Sequence, residues 1–310
     1  MSEPMNIDAL LPPEIAKRAE EVGARKCRLP FWPLLALAVL AGAFVSLGAV
    51  FSTTVSAGTD GVLPFGITRL LSGIAFCLGL VLVVGGGAEL FTGNALISMA
   101  WASGTVSIAQ VLRNWSIVYA GNLLGAVATA VFVYLSRQYT FGGGAVGLAA
   151  LEIARAKTAL GFVQAVVLGI LCNALVCLAV WLCLGARSTT DKILAIVFPI
   201  SAFVAAGFEH SVANMYFIPL GLLIKTDSVF LTTIGKSAAD YARLTWTNCI
   251  LVNLLPVTLG NLIGGVVLVG LTYWFIYLRP ESALVPVSTR TTLAQHAPAQ
   301  AEAEADGRQG

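Results

Sequence analysis

Gly87-Ala88-Glu89-Leu90-Phe91-Thr92-Gly93-Asn94 and Gly207-Phe208-Glu209-His210-Ser211-Val212-Ala213-Asn214 are the two stretches that decide the fold of this chain. Each interrupts a long apolar segment, each reads Glu-x-x-x-x-Asn, and they stand 120 residues apart. An ionisable group inside a bilayer costs about 2.5–3.5 kcal/mol on insertion scales and marks a pathway more often than packing. Two at repeated positions look like the two halves of a transport site.

Six apolar segments surround these breaks, each long enough to span a bilayer, which takes about 20 residues. They run over 31–57, 66–101, 109–136, 159–185, 192–225 and 247–278. The second and fifth are too long for one straight span and contain the two breaks. Each therefore reads as two half-helices joined by unwound backbone at membrane depth, which survives only where it is buried in protein or lines a cavity. Composition agrees: 57% of the 310 residues are hydrophobic and 11% charged, against about 25% charged in soluble domains. The mean hydropathy is +0.86. A net charge of +2, without a basic cluster interleaved with aromatics, gives no sign of nucleic-acid binding.

The repeat extends past the breaks. Gly121-Asn122-Leu123-Leu124-Gly125 in the third span matches Gly260-Asn261-Leu262-Ile263-Gly264 in the sixth, and Leu40-Ala41-Gly42 in the first weakly echoes Val167-Leu168-Gly169 in the fourth. Three spans per repeat is an odd number, so the halves have inverted topology, with the breaks meeting near the midplane. The fold expected is an all-α membrane protein: six transmembrane helices in a 3+3 inverted repeat, with broken second and fifth helices.

Residues 1–30 form a cytoplasmic segment in this reading, 31–279 the six-helix domain, and 280–310 a disordered tail rich in Ala, Pro, Gln, Glu and Thr. Within the first segment, Glu14 to Lys26 suits an amphipathic helix lying on the membrane surface, with Ile15, Ala19 and Val22 on one side. Nothing at the N-terminus has the form of a signal peptide. Lys17, Arg18, Arg25, Lys26 and Arg28 crowd before the first span, which places both termini in the cytoplasm. The six cysteines include no Cys-x-x-Cys pair, so neither a metal site nor a disulfide framework is expected, and no cofactor.

His210 is the one histidine inside the apolar region and sits at a break, where an imidazole can exchange a proton near neutral pH. Glu89 and Glu209 suit the tying down of free backbone N–H groups at half-helix N-termini, with ion coordination the alternative. Asn94 and Asn214 have a capping role open to them. Thr92 offers a hydroxyl, and Asn173 needs either a partner helix or the pore. Phe76, Leu80, Leu90, Phe91, Phe203 and Val176 are apolar neighbours, for which ordinary packing is the reading sequence favours.

Residues 87–94, the stretch Gly-Phe-Glu-His-Ser-Val-Ala-Asn-Met-Tyr-Phe-Ile-Pro at 207–219, and Pro-Val-Thr-Leu-Gly-Asn-Leu-Ile-Gly-Gly at 256–265 resemble the formate–nitrite transporter family. Leu11-Pro-Pro-Glu-Ile-Ala-Lys and Gly-Leu-Thr-Tyr-Trp-Phe-Ile-Tyr-Leu-Arg at 270–279 narrow the resemblance to the bacterial formate channels. It implies an aquaporin-like protomer in a bacterial inner membrane, surrounded by lipid and assembled as a homopentamer with one pore per subunit. It also implies that His210 and Thr92 face each other at the pore centre with Asn173 supporting the histidine. Leu80, Leu90 and Phe91 would form the cytoplasmic constriction, and Phe76 and Phe203 the periplasmic one, with Val176 nearby. Lys26 and Lys157 would concentrate anions at the two mouths. The expected function is passage of formate and related small weak-acid anions, not enzymatic catalysis. Nitrite, hydrosulfide, acetate or lactate are the alternatives, and an aquaporin-like neutral-solute channel the remote one.

Overall fold

The computed structural model describes residues 9–279; the expected tail at 280–310 and the first eight residues lie outside the described part. Pro12–Cys27 forms α1, Phe31–Ser56 α2, Phe65–Gly85 α3, Ile97–Ala102 α4 and Ile108–Leu135 α5. Ala145–Lys157 is α6, Phe162–Gly185 α7, Thr189–Ala206 α8, Ser211–Ile224 α9 and Ser228–Thr233 α10. The last span, α11, is continuous over 246–277 but widens into π-type turns at 249–254 and 263–271, the first ending just before Pro256, whose ring breaks regular α-helical bonding.

Six of these helices are long and apolar enough to cross a membrane. They fall into two halves: α2, the α3–α4 pair and α5, then α7, the α8–α9 pair and α11. Helix starts follow local chemistry, with Ser107/Gln110 and Ser188/Asp191 closing capping boxes on α5 and α8. Gly125 and Gly264 let helices touch at the repeated motif: a Cβ on either would fall 2.0 Å from Val39 O or 2.2 Å from Ile170 O. Phe51, Phe132, Phe198 and Leu255 stand exposed on the outer surface.

The half-helices α3 and α8 end in the same way. Ala88 N–H donates to Val83 O at 2.9 Å, and Phe208 N–H to Phe203 O at 3.0 Å. The residue before each is a glycine with positive φ, +68° at Gly87 and +77° at Gly207. This is the glycine-terminated C-cap, and a side chain at either place would strain the turn.

Two expectations need correction. The register between spans one and four is Leu37–Ala38 with Leu168–Gly169, not Leu40-Ala41-Gly42 with Val167-Leu168-Gly169. Glu89 N–H donates to Leu37 O and Glu209 N–H to Leu168 O, while Asn122 and Asn261 donate to Ala38 O and Gly169 O. The helix α1 forms, but its apolar face packs on protein rather than on lipid. Ile15, Ala16 and Ala19 meet Leu96, Met99 and Trp181, and Ala24 and Cys27 meet Ile97, Ala100 and Val111.

Candidate functional site

The site is built from two copies of one polar network, one at each break. In the first copy, Asn122 of α5 donates through Nδ2 to Ala38 O and Glu89 O, and its Oδ1 accepts Phe91 N–H at 2.9 Å. In the second, Asn261 of α11 donates to Gly169 O and Glu209 O, and its Oδ1 accepts Ser211 N–H at 2.9 Å. Unwound backbone buried in a membrane protein must find such partners, and one asparagine per half supplies two while anchoring to a carbonyl of α2 or α7.

A second layer holds the glutamates. Asn94 Nδ2 donates to Glu89 Oε2 (2.8 Å) and Asn114 Oδ1 (2.9 Å); Asn214 Nδ2 donates to Glu209 Oε2 (2.6 Å) and Asn253 Oδ1 (2.7 Å). Lys26 Nζ lies 3.0 Å from Glu89 Oε1, and Lys157 Nζ 2.9 Å from Glu209 Oε1. Asn114 and Asn253 close each loop by donating to Lys26 O and Lys157 O. Thus the carboxylates do not tie down free N–H groups of the breaks, as sequence suggested; Asn122 and Asn261 do, and the carboxylates gather amide and ammonium donors. Nor are Asn94 and Asn214 helix caps. The two lysines do not stand free at the mouths, since each is paired with the glutamate of its own break.

The halves differ where the breaks meet. His210 is the N-cap of α9, and its Nδ1 accepts Ala213 N–H at 3.1 Å. With that lone pair engaged, the neutral ring carries its proton on Nε2, 2.9 Å from Thr92 Oγ1. Leu90 is the counterpart of His210 in the first break. Asn173 reaches the threonine rather than the histidine: its Nδ2 donates to Thr92 O (3.2 Å) and Asn261 O (2.7 Å). Both amide protons go to backbone carbonyls, which leaves none for the ring.

Two vestibules approach this centre from opposite faces. The larger, about 1010 Å3, is lined by Arg69, Phe76, Lys157, Phe203, Glu209 and His210 among others. At its inner end Phe76 meets Phe203 edge to face at 5.7 Å, and Phe203 stacks on the His210 ring at 6.0 Å. The smaller, about 280 Å3, lies on the α1 side and is lined by Lys26, Leu80, Glu89, Leu90, Asn94 and Lys192 among others. Phe91 and Val176 line neither. Phe91 packs its ring on Tyr119 and Trp115 of α5, and Val176 is buried in the core one turn beyond Asn173. Thr92 and His210 are buried between the vestibules.

Sequence reading gave Asn122 and Asn261 no role, although it found the motif around them, and missed Asn114 and Asn253. A signal was present: both pairs keep an eight-residue spacing along their spans, two turns and about 80° round an ideal helix, so the two amides share one broad side of it.

The model of the formate/nitrite transporter family matches residues 13–275. The chain is 47% identical over 274 residues to the formate channel FocA of Escherichia coli strain K12, covering 88% of this chain and 96% of that one. It is 39% identical to the formate channel FocA of Haemophilus influenzae, covering 84% and 93%. Among solved structures it is similar to a pentameric formate channel with formate bound, at a TM-score of 0.76 and 45% identity over 80% of this chain and 98% of that one. A second similar structure is an FNT family ion channel, at a TM-score of 0.71 and 31% identity, covering 85% and 98%. These relatives conduct solutes and are not enzymes, and the chain, with its six spans, is a multi-pass membrane protein that belongs to the formate/nitrite transporter family.

Proposed function

We propose that this protein passes formate and similar small monovalent carboxylates across the bacterial inner membrane as a homopentamer, with one pathway through each protomer. The observation that carries the reading is the His210–Thr92 pair, a proton-bearing ring bonded to a hydroxyl and buried between two vestibules. The names of the relatives, formate channels of 39–47% identity, supply the substrate class. In this reading α1 and Lys26 face the cytoplasm, with Leu80 and Leu90 as that side's constriction, and Phe76 and Phe203 form the periplasmic one.

Energetics favour protonation in transit. A carboxylic acid of pKa near 4 is neutral about once in a thousand molecules at pH 7, which costs roughly 4 kcal/mol. Moving the bare anion into an apolar constriction costs more, since Born penalties run to tens of kcal/mol before relaxation. A neutral imidazole that gives up its Nε2 proton would become an anion, so donation requires a second proton on Nδ1. That nitrogen is the acceptor for Ala213 N–H, so charging the ring means releasing the cap of α9. Thr92 Oγ1, within hydrogen-bond distance of Nε2, is placed to hand the proton on. The ion-paired lysines keep each vestibule's inner wall polar while the glutamates offset much of their charge.

The test is uptake into proteoliposomes of formate, nitrite and lactate, with and without an inward proton gradient. The expected result is formate uptake that the gradient stimulates. Preference for nitrite would move the substrate within the family and keep the mechanism. Passage of none of the three would overturn the reading.

A further inference from the structure

Arg69 of α3 takes no part in either asparagine network, yet its guanidinium grips the end of half-helix α8. Its Nη2 donates to Val204 O and its Nε to Ala205 O, the latter at 3.2 Å. Carbonyls of a last helical turn lack partners within the helix, and a cation there also meets the negative end of the helix dipole. Two residues further on the chain turns at Gly207, where a Cβ would stand 3.4 Å from Arg69 Nη2.

The grip is one point of a seam. Arg69, Gly73, Phe76 and Cys77 share one face of α3, and each meets α8. At Gly73 a Cβ would fall 2.6 Å from Ser201 O, so the backbones touch. Phe76 meets Phe203 at 5.7 Å, and Cys77 Sγ donates to Val197 O at 3.6 Å. Phe203, the ring that stacks on His210, directly precedes the residue whose carbonyl Arg69 holds. The register that matches Glu89 with Glu209 matches Arg69 with Thr189, so that place in the other half has no guanidinium.

We propose that Arg69 is a positioning residue for the Phe76–Phe203 constriction: by holding the end of α8 against α3 it fixes the opening between the large vestibule and His210, and so sets which carboxylates pass by size. The proposal rests on the transport reading above. A purely electrostatic role makes a different forecast. A cation in the vestibule wall raises the local concentration of every monovalent anion alike, whereas a slackened clamp favours the larger ones.

The experiment measures initial uptake of formate, acetate and lactate into proteoliposomes for wild type, Arg69→Lys, Arg69→Met and Gly207→Ala. Arg69→Met should raise the acetate-to-formate and lactate-to-formate ratios on the order of threefold to tenfold, the worth of about one ordinary hydrogen bond. Arg69→Lys, which keeps a cationic donor group without the guanidinium fork, should restore ratios near wild type. Gly207→Ala keeps the charge but strains the turn beside the grip, and should shift both ratios the same way by less. An equal fall for all three solutes in Arg69→Met, or ratios that stay at wild-type values, would overturn the proposal. If Arg69→Met does not assemble, Gly207→Ala decides, and unchanged ratios there overturn it as well. Wild-type protein that passes none of the three acids fails the transport reading itself; the ratios speak only to Arg69.

Discussion

At the residue scale, matched asparagines do the same work in the two halves. Asn122 and Asn261 spend every polar atom they have on backbone groups, two in the break and one on the neighbouring helix, α2 or α7. Replacing Asn122 with Leu, of similar size, would leave Phe91 N–H, Ala38 O and Glu89 O buried without that partner. Each such group costs about 1–3 kcal/mol, so Asn122→Leu should lower the thermal midpoint of the purified protein by many degrees or prevent assembly. A melting curve that overlays wild type would show that the asparagine does not hold the break. His210 is legible in sequence as the one histidine among apolar spans, and its neighbour Thr92 as a hydroxyl in the matching break. What sequence could not supply is the tautomer, because Nδ1 is engaged by a backbone N–H three residues on, a contact that exists only once the half-helix starts at Ser211. The reach of Asn173 to Thr92 was hidden for a similar reason: Asn173 Nδ2 meets Thr92 O and Asn261 O, which lie 81 and 88 residues away along the chain.

At the scale of elements, the breaks were readable because glycine and glutamate interrupt apolar runs at the same spacing twice. The boundaries of the spans follow the apolar runs to within a few residues. The register between spans one and four slipped by one helical turn, since small residues recur at Ala38 and Gly42, four apart, and either suits a close crossing. The loop elements carry their own tests. Asp227 caps α10 through Phe230 N–H at 2.9 Å and accepts the Tyr139 hydroxyl at 2.6 Å. That hydroxyl first, then the Phe230 N–H, holds the Asp227 carboxyl below its ordinary range, while burial and the carboxylate push the Tyr139 phenol up to about 12. A carboxyl with a depressed folded pKa stabilises fully above its unfolded value, near 3.9, and loses that contribution as pH falls through the folded value. Asp227→Ala should therefore cost about 1 kcal/mol, the usual worth of such a cap, at pH 5–7, with the gap from wild type closing as pH falls below the ordinary carboxyl range. Thermal unfolding across that range checks it, and a gap that is the same at every pH contradicts the assignment.

At the scale of the whole molecule, an inverted repeat explains why two matching networks serve one centre. Each half presents a fixed, lysine-paired glutamate at its own vestibule, and where the copies meet they diverge, at Leu90 against His210 and at Gly42 against Asn173, which the corrected register aligns. Symmetry supplies a rigid frame, and divergence supplies the chemistry. Large apolar side chains on the outer face, such as Phe51, Phe132 and Phe198, need lipid or a neighbouring protomer. The pentamer expected from the resemblance should appear in native mass spectrometry as five copies released together from detergent, and a monomer at all detergent conditions would contradict it. Oligomeric state was not legible in the composition of these faces, since lipid and protein contacts both call for apolar residues.

The most direct test of the account separates the two jobs of His210, cap and proton donor. Asparagine is among the best N-cap residues but cannot carry a transferable proton at neutral pH, whereas phenylalanine can do neither. Formate uptake into proteoliposomes should be measured for wild type, His210→Asn and His210→Phe, with and without an inward proton gradient. The account predicts that His210→Asn melts near wild type yet shows no gradient-stimulated uptake, while His210→Phe loses both stability and stimulation. Gradient-stimulated uptake that persists in His210→Asn would contradict the claim that the buried ring delivers the proton.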